Sequence, residues 1–271
     1  MIKGFIGVVH LPSMPGDPLA PQEATFQETR DFALRDAEAL VAGGVDGLII
    51  ENFGSSPFQK GDFGSRIPPH QSSTMALIAN ACVNGFDIPI GVNCLRNDAY
   101  TAIGIAAASG AHFIRVNIHT STYVTDQGVI EGEAATTLRY RRELGSSVEI
   151  LADVLVKHAA PLVPTTAKLA TEDCINRGHA NGIIVTGTGT GKPIDPELLR
   201  EVKEAAGTNP VLLGSGVTPE NISSLGPHSD GAIVGSWLKQ DGILHAPVCR
   251  DRVKQLVEQA KSFWNEPRNK E

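Results

Sequence analysis

Short apolar runs recur at regular intervals along the chain, each followed by a polar turn and then by a segment with helical periodicity. The runs predict eight strands, near 3–10, 47–51, 88–93, 113–117, 149–155, 182–186, 210–214 and 231–235. Helical patterns fall between them, near 24–42, 72–84, 98–109, 133–144, 165–177, 196–206, 219–225 and 247–264. Asp98, Thr165 and Thr218-Pro219 stand where helix starts want a cap. Gly43-Gly44, Gly85, Gly110, Gly145, Gly178 and Gly207 stand where helices should stop. Strands alternating with helices imply a parallel sheet, and eight such units fit an α/β fold of the (β/α)8 TIM-barrel type. The expected organisation is one domain over residues 1–264, with 265–271 as a loose solvated tail.

An open doubly wound sheet is the competing fold. It calls for a G-x-G-x-x-G turn after the first strand, and His10-Leu-Pro-Ser-Met-Pro-Gly16 does not supply one. Thr186-Gly-Thr-Gly-Thr-Gly191 imitates a nucleotide loop, but Lys192 is followed by Pro193 instead of Ser or Thr.

Two glycine-rich turns carry the strongest chemical signal. Pro210-Val-Leu-Leu-Gly-Ser-Gly-Val217 and Gly231-Ala-Ile-Val-Gly-Ser-Trp237 each end an apolar run with residues whose backbone amides can approach an anion closely. Consecutive turns of this kind at the end of a βα series are where phosphate sits in many barrels, so Gly214, Ser215, Gly216, Gly235 and Ser236 form the expected phosphate site.

A barrel keeps its chemistry at the C-terminal strand ends. There the sequence places His10, Glu51, Asp153 and Lys157 as catalytic candidates, with Asn93, Arg115, Asn117, His158, Thr186 and Thr188 as further lining. Plainer readings compete. Arg115 and Glu51 can form a structural ion pair, Arg96, His70 and His119 read as solvated loop residues, and Met14, Met75 and the tryptophans read as packing. Fully extended, Asp153 and Lys157 lie ~13 Å apart, so Lys157 reaches over the mouth towards Glu51 only if the chain turns after Asp153.

Composition narrows the function classes. A formal charge of −7 argues against nucleic-acid binding, and 5% aromatic residues suit a core of small and branched side chains. No apolar stretch approaches the ~20 residues of a membrane helix, and Met1 leads directly into a strand-like segment without a leader pattern. Cys82, Cys94, Cys174 and Cys249 are scattered and read as reduced thiols, so a cytoplasmic protein is expected. No metal site is expected. The pair of histidines that opens many metal-dependent barrels is absent, since Val8 and Val9 precede His10. No cofactor is required, although Glu51 with Asp153 permits a magnesium ion. The partner expected is a phosphorylated small molecule, and a homo-oligomer is compatible with the sequence.

Several segments together are similar to the BtpA family. They are His10-Leu-Pro-Ser-Met-Pro-Gly-Asp-Pro18, Asp46-Gly-Leu-Ile-Ile-Glu-Asn52 with Pro57-Phe58, Gly91-Val-Asn-Cys94 and Asp153-Val-Leu-Val-Lys-His-Ala159. Ile184-Val-Thr-Gly187, Gly191-Lys-Pro-Ile-Asp195 and Val211-Leu-Leu-Gly-Ser-Gly-Val217 extend the resemblance, which runs from about residue 2 to 262. Thr120-Ser-Thr-Tyr123 departs from the family pattern, where a glycine is common. The resemblance implies the fold of phosphate-binding barrels. The family includes proteins linked to photosystem I biogenesis in cyanobacteria and relatives encoded beside sugar-uptake genes.

Two functions follow as expectations. One is an enzyme acting on a sugar or nucleoside phosphate by aldol-type lyase or isomerase chemistry, with one base taking a proton and a cation steadying the enolate. The other is a non-catalytic stability or assembly factor of the photosystem I biogenesis type. Ionisable groups ringing a phosphate pocket favour the enzyme.

Overall fold

Predominantly apolar runs rich in Val and Ile become strands covered on both faces, as parallel strands wrapped by helices must be. The computed structural model describes residues 1–187 and 194–264. Thr188 and the tail expected at 265–271 lie outside the described residues.

The strands are β1 (Gly4–His10), β2 (Gly47–Glu51), β3 (Ile90–Asn93), β4 (Phe113–Val116), β5 (Thr122–Thr125), β6 (Gly128–Glu131), β7 (Glu149–Val154), β8 (Ala159–Pro161), β9 (Gly182–Val185), β10 (Val211–Leu213) and β11 (Gly231–Val234). The α-helices are α1 (Phe26–Gly43), α2 (Pro69–Gly85), α3 (Ala99–Ser109), α4 (Ala134–Glu143), α5 (Ala167–Glu172), α6 (Pro196–Ala206), α7 (Ile222–Leu225) and α8 (Arg250–Trp264). Eight strands pair in parallel in the order β1-β11-β10-β9-β7-β4-β3-β2, and β1 pairs with both β2 and β11, closing the barrel. This is the (β/α)8 barrel that the alternating pattern predicts.

The period of two along a strand builds the mouth. Ile6, Val8, Ile49, Phe113, Leu151, Ile184, Leu212 and Ile233 fill the barrel interior. Two residues further along the same strand faces come His10, Glu51, Arg115, Asp153, Thr186, Gly214 and Gly235. Asn93 stands likewise beyond Gly91, whose missing side chain is replaced by the Phe113 ring; a Cβ there would lie 2.3 Å from Phe113 Cε2. Polar groups and glycines therefore form one layer above an apolar plug. The larger apolar core lies outside the strands, under the helices.

Asp98 caps α3 as expected, its carboxylate accepting from the Thr101 N–H at 2.9 Å. Other boundaries move. Thr166, not Thr165, caps α5, its hydroxyl accepting from Leu169 N–H. The helix expected near 219–225 shortens to α7 because Asn221 holds the preceding turn: its side chain accepts from Thr218 N–H and donates to the Gly216 carbonyl. Likewise α8 starts at Arg250, since residues before it are tied back through Gln240 N–H to Pro247 O and Cys249 N–H to Leu238 O.

An antiparallel sheet in the order β6-β5-β8 is absent from the sequence expectation. Hairpin β5–β6 lies in the loop after β4, and β8 lies in the loop after β7. Tyr123 and Ile130 turn inward from it and pack with Ile118 and Val156. Ser121, in the segment that departs from the family pattern, takes φ 63°, a left-handed backbone that glycine adopts without strain.

Candidate functional site

Glu51 and His10 are neighbours in the β1–β2 ladder. Asn93 on β3 donates to Glu51 Oε2 at 2.5 Å, leaving Oε1 facing His10 Nε2 at 3.7 Å, too far for a hydrogen bond. His10 packs against Phe53, with ring centroids 4.9 Å apart, and its Nδ1 is buried without a partner. Burial, with Lys239, Lys157 and Arg115 nearby, lowers the His10 pKa to about 3. At neutral pH this imidazole is uncharged, so its approach to Glu51 is not an ion pair.

That shift has a consequence for stability. A histidine that stays neutral when folded but binds a proton when unfolded favours the fold fully only above its unfolded pKa. As pH falls from about 6.5 towards 3, protons bind the unfolded chain and stability declines. Between pH 7 and 4.5 the loss from His10 should be roughly 2–3 kcal/mol. Urea unfolding at the two pH values, in wild type and His10→Asn, checks this; an identical pH dependence in both proteins would contradict it.

Arg115 does not pair with Glu51. Its Nε and Nη2 reach Asp153 at 3.0 and 2.9 Å, and Asn117 adds a third hydrogen bond to the same carboxylate at 3.0 Å. Register explains the choice, since Arg115 and Asp153 rise from adjacent strands β4 and β7. Asp153 thereby accepts three hydrogen bonds, two from Arg115 and one from Asn117, and holds the guanidinium in place. No group of three or more His, Cys, Asp or Glu suited to a metal occurs among the described residues.

The chain does turn after Asp153: Leu155 takes φ 46° and His158 φ 57°. Lys157 N–H donates to Thr186 Oγ1 at 3.1 Å, and Arg96 Nη2 donates to Lys157 O at 2.9 Å, so the turn is fixed from both sides. The Lys157 side chain lines the cavity together with Glu51 and Arg115. Burial lowers its pKa below the ordinary lysine value, Arg115 adds to this, and Glu51 and Asp153 oppose it. Thr186 and Asn93 support neighbours and do not line the cavity, whereas His158 is exposed at the cavity edge.

The glycine turns open onto the same space. A cavity of about 250 Å3 is walled by Gly214, Ser215, Gly216, Gly235 and Ser236 on one side and by His10, Glu51, Arg115 and Lys157 on the other. Among the described residues, no partner is found for the N–H groups of Ser215, Gly216, Ser236 or Trp237, and the Ser215 hydroxyl is buried without one. Gly214 N–H is already used, bonding Val185 O at 2.7 Å. Gly216 takes φ 71°, and a Cβ on Gly235 would lie 2.3 Å from His10 Cε1.

Three residues read as solvated loops are not. Arg96 and His119 are buried, His119 Nε2 lying 2.8 Å from Gly178 O, and half-buried His70 sits in α2 with Nε2 3.4 Å from Asp17. Met14 and Met75 are core residues as expected, but Trp237 lines the cavity with Arg252 over its ring. Arg96 and Phe53 are among the mouth residues that sequence reasoning passed over. The available signal was that each lies within three residues of a barrel strand end.

Fold and mouth define a (β/α)8-barrel protein with an ionisable, glycine-edged cleft at the C-terminal ends of its strands. The family model for BtpA matches residues 1–262, and the chain belongs to the BtpA family. It is 46% identical over 253 residues to the photosystem I biogenesis protein BtpA of Synechocystis, covering 93% of this chain and 86% of that protein. It is 30% identical to the putative sgc region protein SgcQ of Escherichia coli, covering 94% and 93%. Among solved structures, N-(5'-phosphoribosyl)anthranilate isomerase from Pyrococcus furiosus superposes with a TM-score of 0.54 at 15% identity, over 96% of this chain and 99% of that one; at that identity the likeness is of fold alone. No helix among the described residues is long and apolar enough to cross a membrane.

Proposed function

We propose that this barrel is an enzyme acting on a phosphorylated small molecule, by proton-transfer chemistry of the lyase or isomerase type. The observation that carries the reading is the cavity shared by two glycine turns with His10, Glu51 and Lys157. Amides at Ser215, Gly216, Ser236 and Trp237 without a partner among the described residues, with the Ser215 hydroxyl, suit a phosphate. Glu51, oriented by Asn93, takes a proton from a carbon next to a carbonyl, and neutral His10 beside it relays or donates one. Lys157 and Arg115 supply positive charge where an enolate oxygen develops. The lowered pKa of Lys157 also raises its fraction of free amine, which suits attack on a carbonyl.

The similarity to the photosystem I biogenesis protein BtpA of Synechocystis favours a second reading, a protein that assists photosystem I biogenesis without turnover. A thermal-shift screen of phosphorylated metabolites separates the two. Sugar or nucleoside phosphates should stabilise the wild type, and Gly216→Val and Gly235→Val should each weaken that binding about tenfold or more while the barrel still folds. Unchanged affinity in both variants would place the phosphate elsewhere, and no response to any phosphorylated compound would favour the assembly role.

A further inference from the structure

The cleft continues past the glycine turns into a second cavity of about 490 Å3. It shares Glu51, Phe53, Arg115 and Lys157 with the phosphate-side cavity, so the two are adjoining halves of one space. The far half is lined differently. Phe53 and Phe58, edge to face with centroids 6.4 Å apart, and Leu95 give it apolar walls.

Two polar atoms in this lining, Arg96 Nε and Asn117 Oδ1, are buried with no hydrogen-bond partner among the described residues. The residues that carry them are 6% and 4% exposed. Both side chains are held by their other atoms: Arg96 Nη2 donates to Lys157 O, and Asn117 Nδ2 donates to Asp153. One free atom can only donate and the other can only accept. Buried polar groups are rarely left in this state, so the pair is matched to something that enters the cavity.

Charge restricts what enters. Arg96 shares the lining with Asp126 and Lys157 shares it with Glu51, while Arg115 is neutralised by Asp153. A carboxylate or second phosphate would therefore bring anionic oxygens against Asp126 and against Asn117 Oδ1, both acceptors. A hydroxyl or an amide edge accepts from Arg96 and donates to Asn117 together, and the ring or carbon chain bearing it lies against the phenylalanines.

We infer that this half of the cleft is a specificity subsite for the neutral, hydroxyl- or amide-bearing far end of a phosphorylated substrate, read by Arg96 and Asn117 between Phe53 and Phe58. The inference rests on the phosphate reading of the glycine turns. It names the substrate class as monophosphates with an uncharged sugar or heterocyclic end, and it excludes phosphorylated acids.

Calorimetric titration with inorganic phosphate, ribose 5-phosphate, uridine 5'-monophosphate and 3-phosphoglycerate tests it. Ribose 5-phosphate or uridine 5'-monophosphate should bind wild type about tenfold or more tightly than inorganic phosphate, and 3-phosphoglycerate should not. Phe58→Ala should remove most of that gain while leaving the affinity for inorganic phosphate within about twofold, and Arg96→Met should remove it as well. Should Arg96→Met fail to give a folded circular-dichroism spectrum, Phe58→Ala decides alone. Tightest binding of 3-phosphoglycerate, or equal weakening of every probe by Phe58→Ala, overturns the subsite. Binding of inorganic phosphate with no gain from a neutral end overturns the subsite and leaves the phosphate reading standing. No binding of any probe by wild type overturns both.

Discussion

Lys239→Met is expected to lower the stability of the barrel by about 3–5 kcal/mol. Lys239 is 0% exposed, and its Nζ lies 2.5 Å from Oδ2 of Asp36, itself 1% exposed in α1. Asp36 Oδ1 also accepts from the Val248 N–H at 3.1 Å. Removing the amine leaves a carboxylate buried with only the half-exposed Arg35 as a cation, at 3.6 Å. The cost comes from that stranded charge more than from the lost attraction. The double variant Lys239→Met/Asp36→Leu should accordingly recover part of the loss, although Val248 N–H then lacks its acceptor. Chemical unfolding at pH 7 measures both; a single variant within about 1 kcal/mol of wild type would show that the pair is dispensable. The same loop brings Trp237, Gly242 and Leu244 to the phosphate-side cavity, so the single variant should also bind phosphorylated ligands less tightly.

Glu51→Gln should reduce turnover of a phosphorylated substrate by about 10²–10⁴-fold, the range for loss of a general base. Glutamine preserves size and can still accept from Asn93, so binding should change little and the loss should fall on kcat. This carboxylate lines the cavity and is 6% exposed. Proton exchange at the carbon next to the substrate carbonyl, followed by NMR in deuterated solvent, separates a lost base from a distorted site. Full turnover by the variant would remove Glu51 as the base and leave His10 or Lys157 in that role.

Much of this was legible in the chain because a barrel strand is a simple code. Alternation from Val8 to His10, Ile49 to Glu51 and Ile233 to Gly235 places the layer of the mouth without any knowledge of loops. What alternation does not carry is which of two acids an arginine selects. Arg115 takes Asp153 because the neighbouring strand presents it, a matter of sheet order and register. Arg96 was illegible for another reason. It follows β3 in a loop, and only packing against the turn of Lys157 decides that its side chain is enclosed. The extra sheet was hidden by shortness: β8 has three residues and pairs with β5 across a long stretch of chain.

That small sheet joins the loop after β4 to the loop that carries Lys157. Barrel loops are usually treated as interchangeable parts, each grafted or randomised without regard to the rest. Here the two are one part. An exchange of residues 117–133 alone would leave β8 without its partner strand and unseat the lysine just before it. Anyone re-engineering the specificity of this scaffold would therefore have to transplant both segments together, as a matched set.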